Sequence, residues 1–342
     1  METKRKQLPD VVKGFAVIMV ILGHCIQELY GADYSGNMLY FQNELYQFIY
    51  SFHMPLFMLI SGYFAYNGMG SPQKCVKRIL KCLVPVFVFT GLDFLRLYIE
   101  ASVKKVDFPY DGIGSFFHVA YYDNLWFLWA VAVCYLVVYL IHTLLKDNLI
   151  VYAVLFISLF FIPDDYNLFM YKFMLPFFVA GYFWNRFFKY FTKFYKESLR
   201  SKILCLAVLG AVFAILVPIY NEKVFIYVSG YNIFNATWYK MVACDMYRMI
   251  VGFVGSAFFI CLFDVLLKAR ENPPAVFTAL SKLGKLSMEI YILQGYIILL
   301  VLKRFTDRYP GKWWLVPAGT VVTTVVSYFL GALYQRLRKK KI

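Results

Sequence analysis

The sequence has 342 residues, 61% of them hydrophobic and 16% charged, and its 35 Lys and Arg against 20 Asp and Glu give a formal net charge of +15. Soluble domains average about 45–50% apolar and about 25% charged residues, and a globule of this length has too little interior for the surplus. The same surplus excludes disorder. What remains is an all-α polytopic helical membrane protein, expected as a single integral-membrane domain over residues 1–342.

Apolar windows long enough to cross a bilayer fall at 12–29, 48–66, 79–99, 125–144, 148–163, 169–188, 203–220, 241–267, 287–303 and 313–334. About ten transmembrane helices are therefore expected. The fifth is short, and the fifth and sixth are also consistent with a re-entrant pair. Lys4, Arg5 and Lys6 precede the first window in the manner of a secretory signal, but no small-x-small cleavage site follows, so an uncleaved helix is expected. All seven cysteines lie in or beside apolar runs, and none is spaced for a metal. They read as small buried hydrophobes, and no metal is expected.

Ten spans put both termini on one side. With the N-terminus inside, 24 of the 35 Lys and Arg fall in inner segments and 8 in outer ones. That bias predicts an N-in, C-in protein of the cytoplasmic (inner) membrane with both termini cytoplasmic. The positive charge is thus mainly topological, and its partner is membrane lipid rather than nucleic acid.

Ionisable residues inside spans are costly and mark function by default. His24, His53, Asp93, Arg96, Lys172, Asp245 and Arg248, with Glu28 at the rim, share the outer half of their helices. A polar cavity opening outward is the expected cause. Asp93 and Arg96 are equally consistent with an i,i+3 pair, and Arg96 and Lys172 with snorkelling to the interface. His118 and His142 lie near loop or helix ends, and no role is assigned to them.

Lys13 and His24 are eleven residues apart, which on a helix puts them on one face about 16 Å apart along the axis. Asp10 shares the stripe. Across the inner loop, Lys77, Arg78 and Lys81 make a basic group able to hold the phosphates of a cytosolic donor, though flanking charge alone explains the spacing equally well. Imidazole suits general-base work near neutral pH, so a sugar hydroxyl activated by a membrane His fits this layout. Trp126, Tyr121 and Tyr122 are candidate sugar-stacking rings.

The stretch Asp10-Val11-Val12-Lys13-Gly14-Phe15-Ala16-Val17-Ile18-Met19-Val20-Ile21-Leu22-Gly23-His24 resembles the first helix of the acyltransferase-3 family of integral-membrane acyltransferases. Phe52-His53-Met54-Pro55-Leu56-Phe57-Met58-Leu59-Ile60-Ser61-Gly62-Tyr63 is similar to its second-helix signature, and Lys77-Arg78-Ile79-Leu80-Lys81 with Pro85 to its basic motif. Weaker echoes stand at Leu125 to Trp129, Leu175 to Tyr182 and Ser287 to Leu293. The resemblance implies ten spans and transfer of an acyl group, most often acetyl from cytosolic acetyl-CoA, onto an extracytoplasmic or lipid-linked glycan. It implies His24 as the catalytic residue. It also implies Lys13, Lys77, Arg78 and Lys81 as acyl-CoA-binding residues, with no metal cofactor. Asp10, His53, Asp93, Arg96, Lys172, Asp245, Arg248 and Trp126 are then expected to line or support the acceptor cavity. Lys13 and Lys81 stand where many members have Arg, and Gln294 where many have a second His. The fucose 4-O-acetylase-like branch resembles the lysine-bearing form most. Succinyl transfer is a variant of this reading. A polysaccharide or glycolipid exporter or flippase component, and a membrane sensor, are the alternatives from other classes.

Overall fold

The computed structural model describes residues 7–122, 125–194, 198–231, 233, 237–268 and 274–339. Of the cations counted above, Lys4, Arg5, Lys6, Lys196, Arg270, Lys340 and Lys341 lie outside the described residues, as do the side chains of Arg186, Lys189, Lys193 and Lys339. The principal helices, in chain order, are α1 (Gln7–Glu28), α2 (Glu44–Tyr50), α3 (His53–Ala65), α4 (Pro72–Lys104), α5 (Gly112–Tyr122), α6 (Trp126–Leu145), α7 (Leu149–Leu159), α8 (Leu168–Phe194), α9 (Leu199–Leu216), α10 (Trp238–Lys268), α11 (Ala275–Lys285), α12 (Ser287–Tyr296) and α13 (Leu315–Lys339). A π-helical segment, Ile297–Leu302, follows α12. Among the described residues there is no strand.

Seven segments are long and apolar enough to cross a membrane, and an eighth results if α11 and the helix after it, bent by 77°, count as one broken span. The first, second, third, fourth, seventh, eighth and tenth expected windows each fall on one of the seven. The fifth window becomes α7, whose 11 residues reach about 17 Å and fall short of a hydrocarbon core of about 30 Å. The sixth becomes α8, 27 residues long, with Pro176 inside it. The ninth window lies within the helical stretch Ser287–Thr306, which counts as a span together with α11 across the 77° bend at Leu286.

Helix ends follow local chemistry. Asn43 caps α2 by accepting a hydrogen bond from the Tyr46 amide, Asn148 caps α7 by accepting one from Ile150, and Pro72 opens α4 where its missing N–H costs nothing.

The chain forms two compact units, Met1–Ile60 with Arg186–Val228 and Cys244–Ile342, and Ser61–Asn185 with Ser229–Ala243. In the first, α1 crosses α11 almost backbone to backbone. A Cβ on Gly14 would stand 1.9 Å from the Leu280 carbonyl oxygen, and one on Gly284 would stand 1.8 Å from that of Asp10. Hydrocarbon supplies no hydrophobic drive between helices, so such close approach of small residues supplies the dispersion contact that does. One residue along α1, Phe15 enters a cluster with Phe52, Phe259 and Phe263, its centroid 4.7 Å from Phe259. Phe52 itself stacks on Phe259 at 4.2 Å, which fixes the chain just before His53. In the second unit α3 meets α8 in the same way, a Cβ on Gly62 falling 2.0 Å from the Phe178 carbonyl oxygen.

Gly14→Ala and Gly284→Ala should each lower the thermal midpoint of the detergent-purified protein. The methyl meets backbone rather than a movable side chain, an overpacking cost of about 1–3 kcal/mol. Gly114→Ala, with open space around its Cβ position, should leave the midpoint unchanged.

Candidate functional site

α1 is unbroken from Gln7 to Glu28, so Asp10, Lys13, His24 and Glu28 keep helical register. Asp10 is buried, and Lys13, His24 and Glu28 are half-buried. The helix thus carries a half-buried imidazole near one end and a cation near the other, about 16 Å apart along its axis.

His53 opens α3 just after the break at Ser51 and Phe52 and is only 3% exposed. Its Nδ1 lies 2.7 Å from the Ile49 carbonyl oxygen. A carbonyl only accepts, so Nδ1 carries the proton, and in the neutral ring Nε2 keeps a lone pair. The two imidazoles are near enough to interact electrostatically. Tyr50 sits between their helices. Its ring meets His53 edge-on at 4.6 Å and lies 3.0 Å from where a Cβ on Gly23 would be. Tyr46 stacks on Tyr50 at 3.9 Å, Phe225 packs on both, and the Tyr220 hydroxyl donates to the Tyr50 carbonyl at 3.3 Å.

Asp245 and Arg248 form an ion pair one helical turn apart on α10, with side chains 0% and 1% exposed. Tyr220 lies within electrostatic range of Arg248. The first unit therefore gathers His24, His53, Asp245 and Arg248 around aromatic rings that composition alone did not single out. The signal for Tyr50 was its place three residues before His53, on one helical face. Tyr220 had none, being 170 residues from Tyr50 in sequence. The other buried pair of this unit, Lys202 with Asp264, ties α9 to α10.

The basic motif lies in the second unit, where its members divide. Lys77 and Lys81 are exposed on α4. Arg78 is half-buried, and its Nη1 donates to the Phe64 carbonyl at 2.6 Å and to the Tyr135 hydroxyl at 2.9 Å. It caps the carboxyl end of α3, where a cation also meets the negative end of the helix dipole.

The other expected residues of this unit are occupied locally. Lys172 donates to the Ile162 and Pro163 carbonyls and pairs with Asp164 at 2.6 Å, while Asp164 accepts from the Tyr231 amide at 2.8 Å. Asp93 and Arg96 are 3.6 Å apart, and Arg96 continues to Glu100 at 3.3 Å, a ladder along α4. Trp126 starts α6 and touches Phe127. His142 joins Asp147 at 2.8 Å, and Tyr152 and Tyr182 donate to the same carboxylate, closing the turn between α6 and α7. Among the described residues no group of three or more His, Cys, Asp or Glu is arranged to hold a metal ion.

A family model describing an acyltransferase domain of the acyltransferase-3 type matches residues 8–332. Among characterised sequences, the nodulation protein NolL of Sinorhizobium fredii is 29% identical over 186 residues, covering 51% of this chain and 47% of that protein. NolL of Mesorhizobium japonicum is 25% identical over 183 residues, covering 51% and 46%. The chain thus spans about half the length of the curated relatives it matches. No solved structure matches it.

Removing one partner of a buried ion pair strands the other. Arg248→Met should therefore cost about 3–5 kcal/mol, and the Asp245→Leu/Arg248→Met double variant should recover most of it. Thermal unfolding of the three purified proteins in one detergent compares them.

Proposed function

The chain belongs to the acyltransferase-3 family, and on that premise we propose that it transfers acetyl from cytosolic acetyl-CoA to a hydroxyl of an extracytoplasmic or lipid-linked glycan, with His24 as the catalytic base. Main support comes from α1. One unbroken helix carries a half-buried imidazole near one end and Asp10 and Lys13 near the other, and His24 lies within electrostatic range of the buried His53.

The His24 ring takes the proton of the acceptor hydroxyl as that oxygen attacks the thioester carbonyl. The C–S bond of the tetrahedral intermediate then breaks, and the ring gives its proton to the departing CoA thiolate. An O-acetyl ester and free CoA result, with the base restored.

Lys77, Arg78 and Lys81 of the second unit hold the donor's phosphates, and Lys13 of the first is carried as a donor residue by the family resemblance alone. Lys77 and Lys81 act as mobile point charges, whereas Arg78, with Nη1 committed to Phe64 and Tyr135, adds charge rather than a free guanidinium fork. His53, Asp245 and Arg248 support the acceptor side, and Asp10, at the other end of α1, is carried as a supporting residue by the family resemblance alone. Tyr50, half-buried, offers a ring for a sugar face, while Asp93, Arg96, Lys172 and Trp126, all in the second unit, are carried as acceptor residues by the family resemblance alone.

Acetyl is favoured over succinyl by the state of the cations. A succinyl carboxylate needs a cation, and Arg248, Lys172 and Arg96 each already hold an aspartate, Asp245, Asp164 and Asp93. The multi-pass chain sits in the cytoplasmic membrane with both termini cytoplasmic, so donor and acceptor come to it from opposite faces.

His24→Ala should abolish transfer of label from radioactive acetyl-CoA to surface glycan in membranes that hold normal amounts of the protein; normal labelling would overturn the assignment. Lys77→Ala/Lys81→Ala should raise the KM for acetyl-CoA about tenfold, a loss of about 1.4 kcal/mol in donor binding, with little change in maximal rate.

A further inference from the structure

Glu28 is four residues beyond His24 on the continuous helix α1, so the two side chains share a face one turn apart. Long side chains of a helix lean toward its N-terminus, which carries the Glu28 carboxylate back toward His24. The two groups are near enough to interact electrostatically. The carboxylate is also clamped. Lys303 Nζ pairs with Glu28 Oε2 at 2.5 Å, and Ser35 Oγ donates to the same oxygen at 3.3 Å. The π-helical segment Ile297–Leu302, which ends immediately before Lys303, delivers that lysine to α1. Both clamping contacts fall on Oε2, and neither engages Oε1. The Glu28 side chain is only 12% exposed.

We propose that Glu28 is the positioning residue for His24: with Oε2 anchored on Lys303 and Ser35, its Oε1 accepts a hydrogen bond from a His24 ring N–H. That bond fixes which ring nitrogen carries the resting proton and leaves the other bare to take the proton of the acceptor hydroxyl. When the ring holds both protons, before one passes to the CoA thiolate, the carboxylate balances the imidazolium charge in a site with little water to do so. Glu28 is not protonated at any step, and the proton count on His24 is the one given above.

This role rests on the reading of His24 as the base, and a single set of variants separates the two. Full-length protein is assayed in membranes containing the native glycan acceptor, with radioactive acetyl-CoA as donor and protein quantified in each preparation. Wild type should transfer label and His24→Ala should not; normal transfer by His24→Ala overturns the base assignment and this role with it. Glu28→Gln should lower the maximal rate at least tenfold with the KM for acetyl-CoA within twofold. Lys303→Met breaks the same ion pair but keeps the carboxylate, and it should lose less than threefold. Equal losses in Glu28→Gln and Lys303→Met mean a purely structural ion pair and overturn the proposal, as does a Glu28→Gln enzyme at the wild-type rate. If Glu28→Gln fails to accumulate, the Glu28→Gln/Lys303→Met variant, with both charges removed, decides. A tenfold loss supports the role, and a loss under threefold overturns it.

Discussion

α1 and α11 touch where neither has a side chain to interpose. At Gly14 and Gly284 the two backbones come so close that a single methyl group would overlap a carbonyl oxygen. Everything on α1 is then fixed in rotation and height by that crossing. Lys13 is the residue before Gly14, and His24, Glu28 and the Gly23 backbone that faces Tyr50 follow in helical register. Phe15, locked between Phe52 and Phe259, acts as a second pin. Dispersion contacts are weak singly and steep with distance, so a helix held at two such points is held tightly. The imidazole depends on a contact nearly three turns away.

A second regularity concerns the charges. Within hydrocarbon an isolated ion is expensive, and the described ions that lie deepest come with an opposite charge or with carbonyls. Arg248 has Asp245, Lys202 has Asp264, Lys303 has Glu28, and Lys172 has Asp164 with two backbone oxygens. These arrangements do different work. Lys172 is spent on holding a loop whose carbonyls would otherwise face apolar surroundings. Lys202 spans two helices. His24, by contrast, is half-buried, with an imidazole and a carboxylate within electrostatic range.

The all-helical membrane fold was plain in the composition, because no soluble packing hides so many apolar residues. The first helix was legible to its chemistry, since the eleven-residue spacing of Lys13 and His24 is a local property that an unbroken helix preserves. Legibility ended where partners are distant in sequence. Nothing near Glu28 announces Lys303, 275 residues on, and nothing near Tyr50 announces Tyr220. Arg78 looked equivalent to Lys77 in sequence, yet only Arg78 meets the end of α3, because its planar group reaches a carbonyl and a hydroxyl together. Hydropathy located the ninth helical stretch, but its run of apolar residues gives no sign of the 77° bend preceding it.

The ion pairs of the first unit differ in what they require of the chain before it is complete. Asp245 and Arg248 are three residues apart on one helix and can neutralise each other as soon as that helix forms. A centrally placed aspartate or arginine costs about 2.5–3.5 kcal/mol on entering the bilayer alone, and a pair already joined softens that toll while the ribosome is still working. Lys202 has no acidic residue on its own helix, and Asp264 reaches it from α10. That pair closes only when α9 and α10 have come side by side, so the meeting of two helices, rather than the winding of one, is what makes the lysine at home in the membrane.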